Sequence, residues 1–331
     1  MYTNDEMLAR LDAAFKEVTV ADLGTSVLSI DKFDKFIQAM QHRTTILGEA
    51  RFMKMDAQIA DIDRIGFIGR VLTAGVDAAQ AVVGAEASVV PAFATNRLIA
   101  KELRALTGIR DRALRRNIEK GGFENTLVSI FGEAAGRDFE EWALLANTNA
   151  AARQGGPFPG GDVLLTMTDG WVERAANKVY GQGVGRDFDP ADVESMFDAM
   201  LTALPKQYLQ SRPEWRFYVP YVVEDGYRNL LRARGTALGD MAQTSGNDLV
   251  YKGIPVKYCP MIERSNAPVN GAGRVALLTH PDNTVWGIFQ DVQIEREREA
   301  KLRQTDFVLT FEGDCHYEDE NGAVAAYMDL A

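Results

Sequence analysis

The residues able to run a reaction or hold a metal are few in this 331-residue chain, and they are scattered. His42, His280 and His316 share no HExxH or other paired spacing. His280 stands directly before Pro281, where residence in a turn accounts for it. His316 adjoins Cys315, but one adjacent pair falls short of the four regularly spaced ligands of a structural zinc. Cys259 and Cys315 are too few for a disulfide framework, and nothing requires an oxidising compartment. Neither a phosphate-binding GxxxxGK[ST] loop nor a GxSxG elbow occurs. The glycine-rich run Gly181–Gly185 follows a helical pattern rather than a strand, outside the context of a dinucleotide loop. Glu312, Asp314, Glu318, Asp319 and Glu320 lack the spacing of a calcium loop and read as a solvated strand end, a cation site between subunits being the alternative. The expectation is a non-enzyme with no cofactor and no bound metal. A mixed α+β enzyme would need a convergent polar site, and the sequence offers none.

Charge says more than chemistry does. The net charge is −11, which argues against tight wrapping of nucleic acid. Against that background Arg97 to Lys120 carries eight basic and three acidic residues. It reads either as a solvated strand and loop or as a patch for acidic neighbours. No aromatic side chain interleaves these cations, so stacking on single-stranded nucleic acid is unsupported. Far along the chain, VQIERERE sets Glu295, Glu297 and Glu299 in alternation with Arg296 and Arg298. The first residues lack the order of a signal peptide, and no apolar run approaches membrane-spanning length. The expected setting is the cytoplasm.

The element that organises the rest is Phe123 to Asn147. Phe123, Leu127, Phe131, Ala135, Phe139 and Trp142 recur every three or four residues and define one apolar stripe of a long helix. Before it, two short amphipathic pieces (Leu8, Leu11, Phe15 and Phe33, Ile37, Met40) are too small to bury their stripes alone and read as an arm. From Phe52 the period falls to two, giving a strand through Met53, Met55, Ala57 and Ile59, with Thr95 to Leu106 returning beside it. Between these runs Gly66 to Ala94 is apolar and glycine-rich, which suits the tip of a long hairpin that packs on another chain. GGPFPGG at 155–161 is a boundary. Beyond it a compact mixed domain is expected. Its helices are Thr168–Tyr180, a segment opened by Asp189–Pro190 with the stripe Val193, Phe197, Met200, Leu201 and Leu204, and Glu224–Arg234. Its strands are Trp215–Val219, Leu249–Tyr251, Ile254–Tyr258, Val275–Leu278 and Thr284–Phe289. Last come long charged strands, with Asn321–Gly322 as a hairpin turn before AVAAYMDL.

Three stretches carry a resemblance. ALLTHPDNTVWGIFQDVQIEREREAKLRQTDFVLTFEGDCHYEDENGAVAAY is similar to a closing pattern of strand, charged strand and long strand pair. EWRFYVPYVVEDGYRNLL, followed by NDLVYKGIPVKYCPMI with Leu249, Gly253, Pro255 and Val256, is similar to a strand–helix–LxGxPV core. RRNIEKGGFENTLVSIFGEAAGRDFEEWALLAN is similar to a lead-in and spine helix. In that order, over about 48–329, they resemble the major capsid proteins of tailed bacteriophages, whose coat fold is named after phage Hong Kong ninety-seven.

The resemblance implies an α+β coat fold in four parts. These are an N-terminal arm (1–50), an extended β-hairpin (51–107), a peripheral domain with a long spine helix and long β-strands (108–152 and 287–331), and an inserted mixed α/β axial domain (153–286). It implies a structural protein whose copies form the hexamers and pentamers of an icosahedral shell around double-stranded DNA, located in the virion and assembled in the host cytoplasm. An encapsulin-type compartment shell is the alternative. Expected partners are other copies of the chain, a separate scaffolding protein, a portal, a decoration protein and loosely held DNA, with no membrane. About 50 residues precede the hairpin, too few for the scaffolding segment some members carry. Some members also weld the shell through a hairpin lysine. No lysine lies between Gly66 and Ala94, so no such crosslink is expected. The intersubunit residues are expected to be Arg97, Lys101, Arg104, Arg110, Arg112, Arg115 and Arg116 against Glu295, Glu297 and Glu299. Phe123, Leu127, Phe131, Phe139 and Trp142 are expected to form the spine core beneath Val292–Glu299 and Asp306–Tyr317.

Overall fold

The computed structural model describes residues 26–27, 38, 40–41, 44–67, 91–110, 123–148, 163–179, 192–234, 249–264, 274–289, 293–299 and 302–328. The arm helices, the hairpin tip, Arg112, Arg115, Arg116, the 155–161 and Gly181–Gly185 runs, Asp189–Pro190 and the Asn270–Gly271 turn lie outside these residues.

Fourteen strands are described. They are β1 (Ser26–Val27), β2 (Arg51–Met55), β3 (Ile59–Phe67), β4 (Pro91–Ile99), β5 (Lys101–Arg110), β6 (Asn177–Val179), β7 (Arg216–Val219), β8 (Leu249–Tyr251), β9 (Ile254–Tyr258), β10 (Arg274–Thr279), β11 (Thr284–Phe289), β12 (Gln293–Glu299), β13 (Gln304–Tyr317) and β14 (Ala323–Met328). The longer helices are α1 (Phe123–Leu145), α2 (Val193–Ala203) and α3 (Tyr221–Ala233).

The chain falls into two compact units. One comprises Met1–Arg43, Glu102–Gly136 and Gln290–Glu312. The other comprises Thr44–Lys101, Arg137–Phe289 and Gly313–Ala331. Helix α1 and strand β13 each contribute residues to both.

In the first unit β12 runs antiparallel to β13, with Glu295 opposite Val308, Glu297 opposite Asp306 and Glu299 opposite Gln304. Strand β1 pairs with β12, and β5 pairs with β13. Phe307, Leu309 and Phe311 are buried while Val308 and Thr310 are half-buried, the alternation of a sheet with one covered face. Met40 lies against α1 so closely that a β-carbon on Gly136 would come within 2.4 Å of its carbonyl oxygen. Only glycine permits this approach.

In the second unit Gly313–Tyr317 pair antiparallel with β11, which pairs in parallel with β2. A separate six-stranded sheet has the order β6-β14-β10-β7-β9-β8. One of its faces is covered by α2 (Val193, Met196, Phe197, Met200) and α3 (Val223, Tyr227, Leu231), which pack on Phe217, Val219, Ile254, Val256, Ala276, Leu278, Val324 and Ala326. On the other face Tyr327 donates to the Val172 carbonyl at 3.4 Å. Strands β3 and β4 form the described part of the hairpin, in register from Ile59↔Ile99 to Phe67↔Pro91.

Three expectations from the sequence are corrected here. Asn321–Gly322 does not close a hairpin with the long charged strand. A single 3₁₀ turn at Glu320–Gly322, capped by Asp319, redirects the chain, and β14 joins the six-stranded sheet between β6 and β10. The composition explains this. AVAAYM is buried at every position, and a strand apolar on both sides belongs in the middle of a sheet covered on both faces. Thr168–Tyr180 is not one helix. A single turn at Trp171–Arg174 ends at Ala175 in extended conformation, and β6 follows. Trp171, Ala175 and Val179 mimic a helical spacing across a turn and a strand. The strand beginning at Phe52 is also not continuous through Ile59. Asp56–Gln58 breaks it, so β2 joins β11 while β3 alone pairs with β4.

Candidate subunit interface

The end of α1 is buried on every side, from Trp142 through Ala146. Phe139 lies 5.1 Å from Trp142 and 5.6 Å from Trp286 of β11, and Trp286 lies 4.7 Å from Phe52 of β2 (ring centroids). Gly313 of β13 sits under the Phe139 ring, where a β-carbon would come within 3.0 Å of it. Cys315 donates its thiol to the Ala143 carbonyl at 3.5 Å. The Phe139–Trp142 end of the stripe thus packs against β11 and the end of β13. Phe123, Leu127 and Phe131 lie on the same helix, with side chains outside the described residues.

Polar groups moor the hairpin at its base. The Asn96 amide donates to the carbonyls of Tyr317 at 2.8 Å and Glu318 at 3.2 Å. The Ile99 N–H donates to Asp314 Oδ2 at 2.8 Å. Asp314 is almost fully buried and also accepts the Cys315 N–H at 2.9 Å and the Thr168 hydroxyl at 3.3 Å. Burial raises its pKa above the usual carboxylate range, although the Ile99 N–H and the nearby Arg174 pull the other way. Arg64 pairs with Asp319, which accepts the Tyr208 hydroxyl at 2.5 Å, and Arg51 pairs with Glu318 at 2.7 Å. The acids read from the sequence as a solvated strand end are therefore mostly committed to this mooring. Among the described residues no group of three or more His, Cys, Asp or Glu side chains converges on a metal position. His316 is buried, and loss of solvation lowers its pKa to about 4.

The basic residues fare differently from one another. Arg97 pairs across the hairpin with Asp61 at 2.7 Å, and Arg104 pairs with Glu102 of its own strand. Lys101 is half-buried on β5, and Arg110 ends that strand with its side chain outside the described residues. Glu295, Glu297 and Glu299 are exposed on one face of β12, with half-buried Asp306 opposite Glu297. Like charges directly opposite are unfavourable. Leu106 of β5 and Leu302 of the turn between β12 and β13 are also exposed. On the hairpin, Ile59 and Ile99 are cross-strand partners and are about half exposed, at 53% and 45%.

The residue that the sequence reading missed is Glu140. It is 1% exposed on α1 and accepts backbone N–H groups of Thr45 at 2.7 Å and Ile46 at 2.5 Å. The available signal was an acid flanked by Phe139 and the unbroken apolar run Trp142–Ala146. A helix apolar all round is buried, and an acid inside it needs a partner.

A two-stranded hairpin, a long helix whose end packs on β11 and the end of β13, and a doubly covered mixed sheet belong to the coat fold of tailed-phage major capsid proteins. The chain has that fold. It is similar to a chain of the satellite phage P4 procapsid that includes the size determination (Sid) protein, with TM-score 0.62, 14% identity and 99% of each chain covered. It is similar to Mycobacterium phage Che8, with TM-score 0.53, 13% identity and coverage of 86% of this chain and 91% of that one. Among curated proteins it is 28% identical over 321 residues to "Putative prophage capsid protein YqbE" of Bacillus subtilis (strain 168), spanning 95% of this chain and 96% of the relative. No family model matches the sequence.

Proposed function

We propose that this protein is the major capsid protein of a tailed phage or prophage, whose copies assemble into the hexamers and pentamers of an icosahedral shell enclosing double-stranded DNA. The observation that carries this reading is the coat fold over 99% of the chain, matched to a procapsid structure. The role is structural rather than enzymatic, and the location is the capsid of the virion, with assembly in the host cytoplasm. Negative-stain microscopy of the purified protein tests it. Closed shells or capsomers are expected, and a monodisperse small monomer under all conditions overturns it. Genes for a terminase and a portal beside this one are expected, and a cargo-enzyme gene in their place would favour a compartment shell.

The parts are those the resemblance implied: arm 1–50, hairpin 51–107, peripheral domain 108–152 and 287–331, axial domain 153–286. The peripheral part gives up its last strand to the six-stranded sheet. The acidic β12 face meets the basic 97–120 segment of a neighbouring copy. Exposure of Glu295, Glu297 and Glu299 supports this, and so does the surplus of cations over acids in that segment. Arg97 and Arg104 already have acids of their own, so we assign the contact to Lys101, Arg110, Arg112, Arg115 and Arg116. Such contacts are screened by salt, with a Debye length of about 3 Å at 1 M. Capsomer contacts are expected to weaken from low to molar salt, and flat stability counts against the pairing.

Packaged DNA is held loosely, as the net charge of −11 favours. A separate scaffolding protein, a portal and a decoration protein complete the expected partners. With no lysine between Gly66 and Ala94, intact shells are expected to run as single subunits, not as a ladder, on a denaturing gel.

A further inference from the structure

The described part of the hairpin has two unlike faces. One carries Ile59, Asp61 and Asp63 with their partners Ile99, Arg97 and Thr95, all exposed. The other carries Ala60, Ile62 and Arg64 with Leu98, Asn96 and Ala94, and its contacts with the body climb outward in even steps. Leu98 packs with Met55, Ile62 and Val285, and a β-carbon on Gly287 of β11 would come within 3.1 Å of its Cδ1. Two pairs further out, the Asn96 amide donates to the carbonyls of Tyr317 and Glu318. Two pairs further again, Arg64 reaches Asp319. From Ala60 to Arg64 this covers about 14 Å of strand at ~3.4 Å per residue.

The acceptor at the outermost step is built before Arg64 arrives. The Asp319 N–H donates to Asn283 Oδ1 at 2.8 Å, and the Asp319 carbonyl accepts the Asn283 amide at 2.9 Å. Its Oδ2 accepts the hydroxyl of Tyr208, from the 3₁₀ segment Lys206–Glu214, at 2.5 Å, and its Oδ1 accepts the Asn321 N–H at 3.1 Å. The carboxylate is 11% exposed. An exposed ion pair gains little because two long side chains must be ordered to make it. Here one partner is already fixed, and only the guanidinium has to be placed. The Arg97–Asp61 pair on the outer face is of the exposed kind, and it ties the hairpin only to itself.

Beyond Arg64 the ladder continues with Gly66 opposite Ala92. A glycine inside a strand has no side chain to pack and weakens it. A two-stranded ribbon without further support is marginal in water. The base of the hairpin offers the competing pivot, since exposed Asp56–Gln58 interrupts the chain between β2 and β3.

We propose that the Asp319–Tyr208 socket latches the hairpin through Arg64, so that the hairpin is one piece with the body as far as the Arg64–Ala94 pair and bends beyond it, at Gly66, rather than at its base. A consequence, which rests on the capsid reading above, is that each subunit sets the direction of its hairpin before it meets a neighbour.

The experiment is pulsed EPR distance measurement on the full chain, at a protein concentration where negative-stain images show no shells. One spin label sits at Arg232→Cys, exposed on α3, and the other at Thr95→Cys or at Ala92→Cys, on the two sides of Arg64 along the hairpin. Cys259 and Cys315 are buried and do not take the label. The distance distribution is expected to be narrow for Thr95 and clearly broader for Ala92. This comparison leaves the latch intact. Equal widths at the two positions overturn the proposal. Arg64→Ala is expected to broaden the Thr95 distribution to that of Ala92, and an unchanged width there overturns it. Asn96→Ala is expected to leave Thr95 narrow, because Arg64 still holds the hairpin further out. Broadening by Asn96→Ala as large as that by Arg64→Ala places the last hold at Asn96 and also overturns the latch. All these widths are read on unassembled chains, so their failure leaves shell formation, which microscopy reads, untouched.

Discussion

The two halves of β13 follow different rules. From Phe307 to Phe311 buried and half-buried residues alternate, and the partner strand β12 presents Glu295, Glu297 and Glu299 to solvent. From Gly313 to Tyr317 every residue is buried, and Asp314 and Cys315 each have a bonding partner inside the chain. The second half satisfies itself. The first half keeps a face of like charges exposed to solvent, with Glu297 directly opposite Asp306. Polar residues therefore stand in two settings here: mooring within the chain and exposure to solvent. Burial, not residue type, tells them apart.

The contrast can be broken most forcefully at the self-satisfied end. Trp142→Ala removes a fully buried side chain between Phe139 and its neighbours, and is expected to cost ~3–5 kcal/mol in denaturant unfolding and to abolish shells. Asp314→Ala leaves the Ile99 and Cys315 N–H groups without their acceptor and is expected to cost ~1–3 kcal/mol, with protection of the Ile99 amide lost in hydrogen exchange. His316 gives a pH-dependent effect at the same end. Its folded pKa of about 4 lies below the ordinary 6.5, so its contribution is complete above pH 6.5 and is lost as pH falls through that window to 4. The melting temperature is expected to drop across this window, and less steeply in His316→Asn. The smallest effect on the subunit belongs to the presenting half. Glu297→Lys is expected to change unfolding by no more than ~0.5 kcal/mol, since it also relieves the opposition to Asp306. Its effect should appear in assembly at low salt. A large loss of subunit stability from Glu297→Lys, or none from Trp142→Ala, would dissolve the distinction.

Much of the fold was legible because local pattern and tertiary role agreed. The stripe through Phe139 and Trp142 gave α1. Alternating apolar runs bounded by turn residues gave β7 to β11. Reading failed where a segment's environment is set by distant partners. In β14 Ala, Val and Tyr suit either half of a hairpin, and only the two-sided cover decides. In β6 a spacing of four residues mimicked a helix. Glu140 was invisible because its partners, Thr45 and Ile46, lie about 95 positions away and offer backbone groups that carry no sequence signal. The charge runs were legible as charge, but Asp61 as the partner of Arg97 follows only from the hairpin register.

Strand β14 has a further consequence, in time rather than in space. It lies between β6 and β10 and follows both of them in the chain. A ribosome adding ~5–20 residues per second makes well over a hundred residues between β6 and β14, so the sheet waits some seconds for a strand near its middle. Until residues 323–328 have emerged, a growing chain lacks the strand that joins β6 to β10. The order of synthesis thus makes completion of this sheet one of the last steps in the folding of the chain.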